Sequence, residues 1–322
     1  MSRRPSVLVL TTTLLVLGGL GVAWKLTNDS GPEAPHAAPS NAPPTNPPPL
    51  RSVVSSIIHD GPSLPYLKFN FLIKDLPTDL LPHEIDALIA FIESPSHPSQ
   101  FTPMQWGSLV NDIEEALTVQ SVPSPAVADA LIRIARDPAR SQIQRDYALQ
   151  HIGGFAIFLV HTSQAVGTSV GAGIFPMLVD ELKSAASTRS KPWAGTALNL
   201  LDGIFRAASY RNLALPSVDS ASLLALAIPL AQDRDAPLNA RIPALQLASR
   251  HHAPQALELA RVLLGDPQTP LMLRQTASAT LAAQGNATDI PLLASALAEG
   301  NPHTAAAARA AIQHIQSRLA PQ

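Results

Sequence analysis

Cysteine is absent from all 322 residues, which excludes disulfides, thiol nucleophiles and thiolate-bound zinc. Aromatic residues make up only 4% and charged residues only 14%, against about 25% charged in ordinary soluble domains. A formal net charge of −2 leaves no basic footprint, so no nucleic-acid partner is expected. No H-E-x-x-H, G-x-G-x-x-G or P-loop spacing occurs, so neither a metal site nor a cofactor is expected. What is abundant is apolar: hydrophobic residues are 46% of the chain, with few rings among them. Ala and Leu must then supply the burial, which suits helices packed at close range.

The N-terminus opens with Ser2-Arg3-Arg4 and then runs from Val7 to Trp24 without a charge. As a helix this stretch would span roughly 27 Å, close to the ~30 Å hydrocarbon core of a bilayer. Arg3 and Arg4 favour residues 1–6 staying cytoplasmic and the rest crossing. Residues 7–24 are therefore read as a transmembrane signal anchor, giving a single-pass membrane protein with most of the chain extracytoplasmic. Cleavage near Ala23 is the rival reading, because Gly21 and Ala23 are small at the right spacing. Residues 25–50 form a Pro-rich linker, too poor in apolar side chains to build a core and semi-rigid in extended form.

Residues 51–81 are cut by Pro62, Pro65 and Pro77 and read as an N-terminal cap; Leu67 to Ile73 fits either a helix or a strand. From Pro82 the pattern is helical. Ile85, Leu88, Ile89 and Ile92 share one face, with Pro82 at the start and Pro95 and Pro98 past the end. The helical hairpins expected are 82–94 with 102–119, 124–136 with 139–160, and 174–187 with 191–209. They continue as 220–232 with 237–250, 254–264 with 268–284, and 289–299 with 302–319.

Within these hairpins an eight-residue step recurs. Asp137 leads to Arg145, Asp233 to Arg241, Asp266 to Arg274 and Asn301 to Arg309. In three of the four the first residue precedes a proline, and the Arg sits at a fixed depth in the second helix. Lys191 holds the corresponding place in the third hairpin. Recurrence at a fixed internal spacing points to stacked hairpins. Asp137-Pro138…Arg145-Asp146-Tyr147-Ala148-Leu149 and Asp266-Pro267…Arg274-Gln275-Thr276-Ala277 resemble the turn and second helix of HEAT repeats. The resemblance covers about 124–320, with 82–119 a weaker match. It implies an all-α solenoid of about six antiparallel hairpins over 82–322, used as a scaffold or binding surface and without chemistry of its own.

Arg145, Arg241, Arg274 and Arg309 are expected to bond to neighbouring turns and lock successive repeats, because a guanidinium can serve several acceptors at once. A ligand ladder is the alternative role. Gly167-Thr168-Ser169-Val170-Gly171 spells the G-x-S-x-G nucleophile elbow, which works only where a strand turns sharply into a helix. Ala156 to Val160 is the one conceivable strand, and His251, His252 or His303 follows late enough to complete a triad. Without strand–helix alternation a loop between helices is favoured, and Ser169 is kept as the catalytic alternative. His251-His252 reads as a surface or capping pair at a helix end, and Glu114-Glu115 and Asp180-Glu181 read as solvated faces. The function expected is a membrane-tethered, non-enzymatic repeat scaffold that docks another protein; the alternatives are a serine hydrolase using Ser169 and a plain structural spacer.

Overall fold

The computed structural model describes residues 48–94, 98–164, 169–215, 217–299 and 301–320. Among these, fourteen α-helices and two 3-10 turns account for the regular structure, and no strand occurs. The helices are α1 (Ser52–His59), α2 (Tyr66–Lys74), α3 (Pro82–Glu93), α4 (Pro103–Thr118), α5 (Pro125–Arg136), α6 (Gln142–His161) and α7 (Ser169–Ser187). They continue as α8 (Trp193–Tyr210), α9 (Ser220–Gln232), α10 (Leu238–Arg250), α11 (Pro254–Gly265), α12 (Leu271–Gln284), α13 (Ile290–Ala298) and α14 (Pro302–Leu319).

The starts follow from local chemistry. Proline stands in the first turn of α3, α4, α5, α11, α13 and α14, where its missing N–H costs nothing. Thr102 and Ser141 each accept from the N–H three residues on, while Gln105 and Gln144 reach back to complete capping boxes. At the other end, Asn212 (φ 54°) and His252 (φ 53°) turn the chain left-handed. The following N–H then reaches back five residues, Leu213 to Ala208 at 2.9 Å and Ala253 to Ala248 at 3.0 Å, closing α8 and α10.

Each odd helix packs against the even helix that follows it, and the pairs stack into two layers. The even layer runs α2, α4, α6, α8, α10, α12, α14, and the odd layer runs α1, α3, α5, α7, α9, α11, α13, each helix touching the next in its own layer. The core lies between the layers and is continuous from Val54 to Ile315. Small residues permit the close approaches: a Cβ at Gly195 on α8 would sit 2.5 Å from the Asn239 carbonyl oxygen at the start of α10.

The six expected hairpins correspond to α3/α4 through α13/α14, and the cap region forms a seventh pair, α1/α2, in which Leu67 to Ile73 is helical. Residues 1–47, with the anchor at 7–24, the site near Ala23 and most of the linker, lie outside the described residues. Among the described residues no helix is long and apolar enough to cross a membrane. The single-pass membrane localisation finds no support among the described residues and is withdrawn: even the 20-residue α6 carries Arg145, Asp146 and three glutamines and buries its apolar face against its neighbours.

Candidate functional site

The recurrent arginines separate into two groups. Arg145 Nε donates to the Ala135 carbonyl at 2.8 Å, Arg241 Nε to Ala231 at 3.3 Å, and Arg274 Nη2 to Leu264 at 3.2 Å. In each case the acceptor lies ten residues back, in the last turn of the preceding helix, where the carbonyl has no partner within its own helix. The leading aspartates fold the intervening turn. Oδ1 of Asp137, Asp233 and Asp266 accepts the N–H two residues on, from Ala139, Asp235 and Gln268 at 2.8, 3.0 and 2.9 Å. The helix therefore begins five residues after the Asp in all three cases, not at the Asp itself.

Asn301 and Arg309 depart from this plan. Asn301 is the N-cap of α14, accepting from His303 and Thr304, so its helix starts at once and Arg309 arrives two turns in, on the exposed side. Lys191 lies in the turn before α8, 5.7 Å from the Trp193 ring centroid, and Arg145 covers the same ring at 4.4 Å.

Other expectations are corrected by burial. Ala156 to Val160 lies inside α6 and Ser169 opens α7, so the strand that a nucleophile elbow requires does not precede it; residues 165–168 are outside the described set. Gly171 lies within α7 beside the Gln164 carbonyl. Glu114 and Glu181 are buried rather than solvated, Glu181 beneath Arg136, which donates to it from Nε at 2.8 Å. His251 is no surface residue: Nε2 lies 3.0 Å from Asp202 Oδ1, and Nδ1 lies 2.8 Å from Ser220 Oγ. Asp202 and Ser220 could not be found by local pattern, since 49 and 31 residues separate them from His251. Among the described residues no cluster of His, Asp and Glu is placed to hold a metal.

The even layer carries a row of exposed apolar residues at its helix starts. Leu67 on α2, Met104 on α4, Ile143 on α6, Leu238 on α10 and Met272 on α12 each stand first or second in their helix and are exposed, Met104 at 84% and Ile143 at 63%. Trp193, half-buried, takes the same place on α8. Because every even helix starts after a return through an odd one, these first turns fall on the same edge of the layer. A shallow cleft of about 160 Å³ joins three of them, lined by Ile143, Trp193 and Asn239.

The fold so far defines a class: an all-α protein of stacked helical hairpins, solenoid-like in its layering. No family model matches the chain, and no curated protein matches it. Among solved structures, human deoxyhypusine hydroxylase in complex with glycerol is similar at 10% identity and a TM-score of 0.32, over 83% of this chain and 95% of that one. That protein is an enzyme by name; nothing in the helical layering itself supports the expectation of a non-enzyme, and that expectation is withdrawn. The likeness is too low for its activity to be carried over.

Proposed function

We propose that the hairpins are HEAT-type units and that the protein is a docking scaffold, taking an apolar segment of another protein along the first turns of the even helices. The observation that carries this reading is the row of exposed Met104, Ile143 and Met272 with the Trp193 cleft between them. Exposed single apolar residues are ordinary on any surface, but their recurrence at equivalent places in successive units favours a binding edge. Met side chains also suit such an edge, because an unbranched thioether adapts to different partners. The arginines stay with the architecture, their donors being used by carbonyls inside the ladder.

The test is capture of a partner by the protein and by a Met104→Asp/Ile143→Asp/Met272→Asp variant. The expected result is loss of at least tenfold in partner affinity with an unchanged melting temperature, since these side chains lie outside the core. Undiminished capture by the variant would overturn the reading.

A further inference from the structure

The Ser220–His251–Asp202 cluster has a chemistry that a docking scaffold does not use. Asp202 comes from the middle of α8, Ser220 from the first residue of α9, and His251 from the C-terminal cap of α10, so three successive helices converge on it. Asp202 is 1% exposed. Its Oδ2 accepts from Arg250 Nη2 at 2.9 Å and lies 3.2 Å from Arg206 Nε, while Oδ1 faces His251 Nε2 at 3.0 Å. A carboxylate accepts only, so the Nε2 at this contact carries a proton and, in the neutral ring, Nδ1 is the acceptor. At 2.8 Å the Ser220 Oγ–H then donates to Nδ1. The Phe205 ring packs against the imidazole, 5.2 Å between centroids and tilted by 51°. Nucleophile, base and orienting carboxylate thus stand in the order required for activating a serine.

The surroundings supply the remaining parts. A cleft of about 260 Å³ lies beside the cluster, lined by Phe205, Ala208, Leu213, Leu215, Val218 and Asp219, the residue before the serine. The N–H of Ser222 is taken by the Asp219 side chain at 2.7 Å, but the first-turn N–H groups of Ser220 and Ala221 have no partner within the helix. They belong to the serine itself and to the residue after it, and such free first-turn donors are the kind that a developing oxyanion needs.

We propose that Ser220 is the nucleophile of an acyl-transfer site for small apolar carboxylic esters. Oγ bonds to the ester carbonyl carbon as His251 Nδ1 takes its proton. The C–O bond to the alcohol then breaks, the alcohol leaves with that proton, and the acyl group remains on Ser220. Water, deprotonated by His251, attacks the acyl-serine and releases the carboxylic acid, returning the proton to Oγ.

The experiment treats the full chain with a fluorophosphonate probe and follows hydrolysis of p-nitrophenyl butyrate. Labelling is expected on the peptide that holds Ser220. Ser220→Ala should abolish both readouts, Ser222→Ala and Ser169→Ala should retain them, and His251→Gln should slow both by at least about 100-fold. Ser220→Ala removes one hydroxyl from a half-exposed position, so its circular dichroism is expected to match the wild type even if His251→Gln proves unstable. No labelling of the wild type, or labelling that persists in Ser220→Ala, would overturn the proposal.

Discussion

The two carboxylate oxygens of Glu299 lie 2.5 and 2.6 Å from Nη1 and Nη2 of Arg274, a forked pair that joins the end of α13 to α12. The same Nη2 also donates to Leu264 at the end of α11, so one buried side chain ties its own hairpin to the next. The pair holds the Glu299 carboxyl below its usual range, chiefly through the hydrogen bond from Arg274.

Arg274→Ala is expected to destabilise the protein by about 1–3 kcal/mol, the usual penalty for leaving buried polar groups unpaired. Arg241→Ala, which loses a buried donor without an acidic partner at hydrogen-bond distance, should cost less. Lys191→Ala should be milder still. Arg309→Ala, at an exposed position, should stay within about 0.5 kcal/mol of wild type. Thermal melts of the four variants check the order, and an Arg274→Ala melt equal to that of Arg309→Ala would refute it.

Burial pushes the Glu114 carboxyl up to about 8, with Arg140 opposing, and pushes the His151 imidazole down to about 4, with Asn111 opposing. Although the two approach within 3.7 Å, both are uncharged between those values, and the contact is a neutral one rather than an ion pair. The folded Glu114 holds its proton more tightly than the unfolded chain, so its contribution is full below about 4.5 and is lost as pH rises toward 8. His151 acts in the opposite sense: its contribution is full above about 6.5 and is lost as pH falls through 4. The two slopes cancel between about pH 4.5 and 6.5, so the melting temperature should fall between about pH 6.5 and 8, and Glu114→Gln should flatten that fall. Parallel curves for the two proteins would contradict the assignment.

Two glycines predict opposite outcomes. A Cβ at Gly195 would press on the α10 backbone, 2.8 Å from Ala240 Cα, so Gly195→Ala should destabilise by about 1–3 kcal/mol. At exposed Gly154 nothing lies within 4 Å, and Gly154→Ala should stabilise by about 0.4–1 kcal/mol through helix propensity and the unfolded chain. Urea titrations of both variants give the two signs directly.

The hairpins were legible because proline, N-cap and apolar spacing are local, and the Asp137–Arg145 step is short enough for one turn to enforce. The same step misread Asn301–Arg309, since an Asn that caps a helix and an Asp that folds a turn ahead of one look alike in sequence. Glu114 looked solvated beside Glu115 because adjacent helix residues point about 100° apart, and only the packing of α6 against α4 decides which is buried. Asp202, Ser220 and His251 were illegible together: each sits on a different helix, and only the stacking of α8 with α9 and α10 brings them within 3.0 Å.

The docking account is tested most directly by a photo-crosslinking residue placed at Met104, Ile143 or Met272 on the even layer, and at exposed Val262 on α11 of the odd layer. The account predicts one common crosslinked partner from the three even-layer positions and none from Val262. The same partner captured from Val262 and absent from the three would contradict it.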